Sequence, residues 1–162
     1  MFKIKNLITV FSLIATVSIA SAQIKIGDSF PVIQIQNNKN STVKLNSFKG
    51  KTVLVDFWAS WCAPCRMANK KLVKIYDQYK DDNFEIVGIS VDTDKSKWLK
   101  AIEKDKMKHQ QLIDPKGFDA KTAVTFGVDA LPSTYLFNSS GKLIAINPTE
   151  AQIIAQIKKN KK

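Results

Sequence analysis

The stretch Lys51–Lys71, KTVLVDFWASWCAPCRMANKK, decides the fold of this chain of 162 residues. The mostly apolar run from Thr52 to Trp58 predicts a buried strand. A short loop follows and leads to the motif Cys62-Ala63-Pro64-Cys65. From the motif to Lys80, apolar residues recur at helical spacing and predict an amphipathic helix. The two thiols are therefore expected between the end of a strand and the start of a helix.

This position favours nucleophilic sulfur chemistry. The unpaired N–H groups and the positive dipole end at a helix N-terminus stabilise a thiolate, which makes Cys62 the candidate nucleophile. Cys65 lies one helical turn further on, close enough to attack a mixed disulfide at Cys62, and is the candidate resolving thiol. Pro64 suits the first helical turn, where its missing N–H has no partner to lose.

Two other roles for a Cys-x-x-Cys pair fit less well. A zinc site takes about four ligands, and the chain contains only two cysteines and one histidine. We therefore expect no metal site and no other cofactor. A purely structural disulfide between such near neighbours closes a short loop and stabilises the fold little. The strand-to-helix context favours redox chemistry.

Residues Val55–Arg66, VDFWASWCAPCR, resemble the active-site segment of the thioredoxin superfamily. The rest of the chain is most similar to the exported branch of that superfamily, the TlpA/ResA-like thiol-disulfide oxidoreductases. This resemblance implies an α/β fold, a thioredoxin-like sandwich with a central mixed β-sheet flanked by helices. It also implies an N-terminal β-hairpin and an α/β insertion after the βαβ unit. The implied activity is reduction of protein disulfides outside the cytoplasm, with disulfide-bearing proteins as substrates and a membrane protein as electron donor.

The sequence contains a segment for each of these structural features. Weak alternation across residues 32–45, interrupted by the turn-like Asn37–Asn40, predicts the hairpin. Phe84–Val91 predicts a second buried strand, parallel to the first because a helix connects them. The other predicted elements are a helix capped by Asp94 or Ser96, a strand Gln111–Ile113, a helical segment Phe118–Phe126, strands Pro132–Phe137 and Lys142–Ile146, and a last helix with a Thr149/Gln152 capping box.

Asp56 is the candidate proton relay. A carboxylate buried in an apolar strand has a raised pKa and could exchange a proton with Cys65 near neutral pH. A strand-end aspartate that faces solvent is the alternative, and the match to the thioredoxin aspartate favours the relay. TlpA/ResA-like proteins often have Asn at this position, with Glu and Pro where this chain has Ala68 and Lys70. The departures indicate a relay like that of thioredoxin and count against a dedicated role in cytochrome c maturation.

Trp61, Leu131 and Pro132 are the candidate substrate-binding residues. In the resembled family the equivalent proline is cis and lies beside the disulfide, which leaves the backbone of the preceding residue free to pair with an extended peptide. An ordinary trans proline at the start of a strand is the alternative. Trp61, next to the nucleophile, is expected to form an apolar rim that contacts substrate. Trp58 is expected in the core.

Residues 1–22 read as a secretory signal peptide cleaved after Ala22. Lys3 and Lys5 precede an apolar stretch, and Ala20-Ser21-Ala22 has the small-x-small pattern of a cleavage site. The predicted product is one thioredoxin-like domain, residues 23–162, periplasmic or secreted and without stable membrane insertion. An uncleaved membrane anchor is the alternative.

The chain is strongly basic, with a formal net charge of +11 and Arg66 as its single arginine. Export and the lack of a binding motif argue against a nucleic-acid partner, so the lysines are interpreted as a solvated surface that can bias encounters toward acidic partners.

Three rival functions stay open at this stage. A peroxiredoxin-like peroxidase usually has a Thr-x-x-Cys loop, which Ser60 to Cys65 does not supply. A non-catalytic thioredoxin-fold binding module would use the same face for docking alone. An oxidant or isomerase would differ in redox direction, and the absence of histidine in Ala63-Pro64 favours a reductant.

Overall fold

The computed structural model describes residues 23–161, so the predicted signal peptide, residues 1–22, lies outside the described residues. The strands are β1 Gln34–Asn37, β2 Thr42–Lys44, β3 Thr52–Trp58, β4 Phe84–Ser90, β5 Gln110–Ile113, β6 Ser133–Phe137 and β7 Leu143–Ile146. The helices are α1 Ala63–Tyr79, α2 Lys95–Lys104, α3 Lys121–Phe126 and α4 Glu150–Asn160. Helices α1, α2 and α4 and all of the predicted strands form where the sequence places them, with ends that differ by one or two residues.

The strands form one seven-stranded mixed sheet in the order β2-β1-β5-β4-β3-β6-β7. At its centre β3 is buried along its whole length, as a run of apolar residues requires. It pairs in parallel with β4 and antiparallel with β6. The predicted βαβ unit of β3, α1 and β4 is therefore confirmed, and the carboxyl end of β3 delivers the chain directly to the cysteine motif.

Helices α1 and α4 pack on the same face of the sheet as Leu54. Leu72 and Ile75 from α1 and Ile153 and Ile157 from α4 form an apolar cluster with it. Side chains alternate along a strand, so Asp56 shares this face with Leu54. The predicted capping box starts α4, because Thr149 accepts a hydrogen bond from the Gln152 backbone and the Gln152 side chain bonds back.

The insertion after β4 adds α2 and β5 to the sandwich. Asp94 caps α2 by accepting hydrogen bonds from the backbones of Ser96 and Lys97, which decides between the two predicted caps. Trp98 anchors the helix in the core and is fully buried. Strand β5 pairs in parallel with β4 and antiparallel with β1, so the N-terminal hairpin joins the sheet through the inserted strand.

Candidate active site

The cysteine motif lies at the start of α1 and is oxidised. Cys62 and Cys65 are joined by a disulfide, with their Cα atoms 5.3 Å apart. Cys62 is the N-cap residue of α1, and its Sγ accepts a hydrogen bond of 3.2 Å from the Cys65 backbone. Cys62 is 5% exposed and Cys65 is 1% exposed. Both are largely covered, and Cys62, the sulfur predicted to attack, is the more accessible one.

A carboxylate at the end of the neighbouring strand holds the loop that carries the motif. Asp92 accepts hydrogen bonds from the Ser60 backbone at 2.8 Å and from the Ser60 hydroxyl at 2.7 Å. The Ser90 hydroxyl donates to the same carboxylate at 2.7 Å. The sequence interpretation missed Asp92. The sequence feature that could have identified Asp92 is its position just after a strand parallel to β3, because the carboxyl ends of parallel strands lie at the same edge of a sheet.

Asp56 lies inside the protein, so the solvent-facing alternative is wrong. It is 2% exposed, and burial raises its pKa to about 7. Its carboxylate accepts no hydrogen bond from the described part of the chain. It lines a cavity of about 280 Å³ together with Lys71, Pro132 and Glu150. Lys71 and Glu150 are exposed, so the cavity connects the carboxylate with the surface.

The helix face that carries Cys65 covers Asp56. Cys65, Ala68 and Leu72 follow one another at intervals of three and four residues, which places them on one face of α1. Ala68 and Leu72 line the same cavity as Asp56. Ala68 and Leu72 therefore lie over the carboxylate, and Cys65 lies one turn before Ala68 on the same face of α1.

The candidate substrate-binding residues lie at two places, Leu131 and Pro132 just before β6 and Trp61 next to Cys62 in the chain. The Leu131–Pro132 peptide bond is cis, so the trans alternative is wrong. Pro132 lines the cavity of Asp56, and the backbone of Leu131 makes no backbone hydrogen bond within residues 23–161. Trp61 is 62% exposed beside Cys62, whereas Trp58 is fully buried as predicted. An extended peptide could therefore find both free backbone groups and an apolar contact.

Gln111 is a second residue that the sequence interpretation missed. Its side-chain oxygen accepts a 3.1 Å hydrogen bond from the indole N–H of Trp58. The amide lies over Gly88, where a Cβ atom would be 2.5 Å from the Gln111 oxygen. Gly88 pairs with Asp56 on one side and Gln111 on the other. The sequence feature that could have identified this contact is Gly88, because a glycine inside a buried strand often marks the close approach of another group.

The side chain of Arg66, in the first turn of α1, is held by two partners. Its guanidinium forms an ion pair with Asp105, in which Nη2 donates to Oδ1 at 2.7 Å, and Nη1 donates to the Ser60 carbonyl at 3.1 Å. Asn69 donates to the same carboxylate at 3.0 Å. Burial, the largest single effect, raises the pKa of Asp105, but the hydrogen bonds from Arg66 and Asn69 and the positive charges of Arg66 and Lys70 together outweigh it and lower the pKa.

Three further observations concern metal ligands, His109 and membrane-spanning helices. Within residues 23–161, no group of three or more His, Cys, Asp or Glu side chains is arranged to hold a metal ion. His109, to which the sequence assigned no function, is buried, and its burial lowers its pKa to about 4. None of the helices between residues 23 and 161 combines the length and apolarity needed to span a bilayer.

Comparison with known proteins agrees with this site. The model of the AhpC/TSA family matches residues 26–146. The chain belongs to this family. Thiol-disulfide oxidoreductase ResA of Bacillus thuringiensis subsp. konkukian is 29% identical over 122 residues, which cover 75% of this chain and 69% of that protein.

Two solved structures extend the likeness to the fold. The thioredoxin domain of a thiol-disulfide oxidoreductase from Bacteroides vulgatus has a TM-score of 0.75 and 33% identity, covering 86% of this chain and all of that one. A thiol-disulfide oxidoreductase from Bacteroides fragilis has a TM-score of 0.74 and 31% identity, covering 82% and 98%. The predicted thioredoxin-like fold and ResA-like relationship are confirmed, and the protein is a thiol-disulfide oxidoreductase with a Cys62-x-x-Cys65 pair.

Proposed function

We propose that the protein reduces disulfides of other proteins outside the cytoplasm through the dithiol form of Cys62 and Cys65. The observation that carries the proposal is the position of this pair. Cys62 caps the N-terminus of α1 and is the more exposed residue of the pair, and Cys65 lies one turn further along the helix. A thiolate at Cys62 would receive the N–H group of Cys65 and the helix dipole, which both favour the charged sulfur.

The reaction proceeds in two exchanges. The Cys62 thiolate attacks one sulfur of the substrate disulfide, the substrate S–S bond breaks, and the other substrate sulfur leaves as a thiolate. Cys65 then attacks the Cys62 sulfur, and the second substrate sulfur leaves. Two electrons pass to the substrate, and the protein ends with the Cys62–Cys65 disulfide found in this structure.

Asp56 supports the second exchange by taking the proton of the Cys65 thiol. A carboxyl group whose pKa is about 7 is present in both protonation states at neutral pH, as a proton relay needs. The cavity lined by Lys71 and Glu150 then lets the proton pass to solvent. The Asp56→Asn variant should therefore release substrate from the mixed disulfide at least about tenfold more slowly at pH 7.

Substrate binds as an extended segment against Leu131 and Pro132, with Trp61 as an apolar contact. The free backbone groups of Leu131 can pair with the segment as an added strand would. Such pairing recognises the backbone of the substrate rather than particular side chains. One enzyme can therefore accept several protein substrates.

Charge and sequence support the proposed redox direction and compartment. Asp105 neutralises Arg66, and Ala63-Pro64 supplies no histidine. The Cys62 thiolate therefore receives little stabilisation beyond that of the helix N-terminus, and the dithiol is a reductant. Cleavage of residues 1–22 after Ala22 would place the domain in the periplasm or outside the cell. Each turnover oxidises the pair, so a membrane protein that passes electrons outward is the expected donor.

Insulin reduction tests the proposal. Cys62→Ser should abolish turnover, and the matched Cys65→Ser variant should abolish turnover while accumulating mixed disulfides with protein substrates in the native compartment. Unchanged function in Cys62→Ser would instead identify a binding module. A peroxide-consumption assay on the same proteins separates the peroxidase alternative, because only that activity would consume hydrogen peroxide at catalytic rates.

A further inference from the structure

Two neighbouring grooves flank Trp61 on the side of the disulfide that faces α2. The larger, of about 440 Å³, is lined by Trp61, Met67, Lys70 and Lys104 among others. The smaller, of about 310 Å³, is lined by Trp61, Lys104 and two further lysines of α2, Lys97 and Lys100. Leu131 and Pro132 line neither groove, so this surface shares only Trp61 with the substrate-binding residues predicted from the sequence.

The charge of these grooves is positive and largely uncompensated. Lys70, Lys97, Lys100 and Lys104 are all exposed. Within residues 23–161, Lys97 makes only a 4.0 Å contact with Asp94, and the other three form no ion pair. The one acid in the lining, Asp105, is already bound to Arg66.

An apolar strip runs through the same surface. Trp61 is 62% exposed and Met67 is 65% exposed, both beside the cysteine motif. Exposed large apolar side chains next to a reactive group commonly contact a partner. The surface therefore combines an apolar contact with surrounding positive charge, and a matching partner carries negative charge around an apolar residue.

We propose that the grooves beside Trp61 bind an acidic segment of the protein substrate, next to the cysteine that Cys62 attacks. The proposal rests on the proposed function and names the substrate class for it. Helix α2, which supplies three of the four lysines, belongs to the insertion after β4. The insertion thus adds substrate selection to a reaction whose sulfur chemistry is carried out by β3 and α1.

Two synthetic peptides test this directly. Each carries one cysteine in disulfide linkage to a small thiol, and they differ only in having glutamates or lysines around that cysteine. The rate of reaction with the reduced protein is followed by tryptophan fluorescence. At about 20 mM salt the acidic peptide should react at least about tenfold faster, and at about 500 mM the two rates should agree within about twofold.

Matched variants locate the effect. Lys70→Glu/Lys104→Glu should bring the ratio of acidic to basic rates to about one or below. Lys158→Glu/Lys159→Glu changes the net charge equally but lies at the end of α4. There Asn160 contacts the carbonyls of Gly50 and Asn83, which precede β3 and β4, at the opposite end of these strands from the cysteine motif. This control should keep the wild-type ratio. An equal fall in both variants would overturn the proposal in favour of a general effect of net charge.

Hydroxyethyl disulfide, an uncharged substrate, distinguishes a failure of the proposed function from a failure of the proposed docking of acidic segments. If wild-type protein fails to reduce hydroxyethyl disulfide, the proposed function itself is contradicted. If it reduces this probe but shows no preference between the peptides, only the docking of acidic segments is contradicted. Binding of anionic vesicles that depends on Lys70 and Lys104, without a peptide preference, would also overturn the proposal and identify a membrane surface as the occupant.

Discussion

Two buried carboxylates lie against α1 in opposite surroundings. Asp56, on β3 beneath the helix, has no hydrogen-bond partner among the described residues, and burial raises its pKa to about 7. Asp105, directly after α2, accepts hydrogen bonds from Arg66 and Asn69. Together with the positive charges of Arg66 and Lys70, these bonds outweigh the effect of burial and lower the pKa of Asp105. The paired acid stays ionised and fixes the loop of the active site. The unpaired acid can change its protonation state, and it lies beneath the helix that begins with the cysteine motif.

The largest expected effect follows from the unpaired acid. The unfolded chain loses the Asp56 proton near the ordinary pKa of 3.8, whereas the folded protein keeps it until about pH 7. The free energy of unfolding therefore falls as pH rises between these values and then levels off. Asp56→Asn does not titrate, so the oxidised variant should be more stable than wild type at pH 8, by up to about 4 kcal/mol.

Urea unfolding at pH 8 and at pH 3.5 checks this prediction. At the lower pH both proteins carry an uncharged side chain at this position, so the difference should nearly vanish. Equal stabilities at both pH values would mean that Asp56 ionises like an exposed aspartate, and the contrast with Asp105 would disappear.

Replacement of the paired acid, Asp105, should change the free energy of unfolding in the opposite direction. Asp105→Asn removes the charge that Arg66 and Asn69 bind, so the variant should be less stable at pH 7 by about 2 kcal/mol. The lowered pKa of Asp105 means that its contribution is present above the ordinary value of 3.8 and is lost as pH falls through the folded pKa. The stability gap should therefore narrow in acid.

An exposed ion pair provides the control for Asp105. Lys108 and Asp77 lie 3.1 Å apart with both side chains well exposed, so Asp77→Asn should change the free energy of unfolding by less than about 1 kcal/mol. Similar losses for the Asp77 and Asp105 variants would contradict a special role for the buried pair.

Loss of a neutral hydrogen bond under the same helix should have a smaller effect than loss of either buried acid. Gln111→Leu leaves the buried indole N–H of Trp58 without its acceptor, which should cost about 1 kcal/mol. No charge changes, so the loss should be the same at pH 4 and pH 8. A loss that varies with pH would show that Gln111 is coupled to the titration of Asp56.

The parts of the fold that the sequence predicted well depend on neighbours along the chain. The apolar run of β3, the cysteine motif at the start of α1 and the Thr149/Gln152 capping box each depend on a few consecutive residues. The cis form at Pro132 came from the resemblance to a family rather than from such a pattern. The predicted signal peptide lies outside the described residues and remains a prediction.

The parts that the sequence did not predict join distant residues. Asp92 binds Ser60, 32 residues away, and Gln111 binds Trp58, 53 residues away. Arg66 meets Asp105 across 39 residues, so the one arginine of the chain forms a neutral pair. These contacts depend on how the insertion packs against α1, and local patterns carry no information about that packing.

The most direct measurement is the pH dependence of alkylation at Cys62. In the Cys65→Ser variant Cys62 is the only thiol, and its rate with iodoacetamide reports the thiolate fraction. The pH of half-maximal reactivity should lie at least about one unit below the pKa of about 8.5 for a free cysteine, because the helix N-terminus stabilises the thiolate. A midpoint at about 8.5, or a thiol that fails to react in the folded protein, would contradict it.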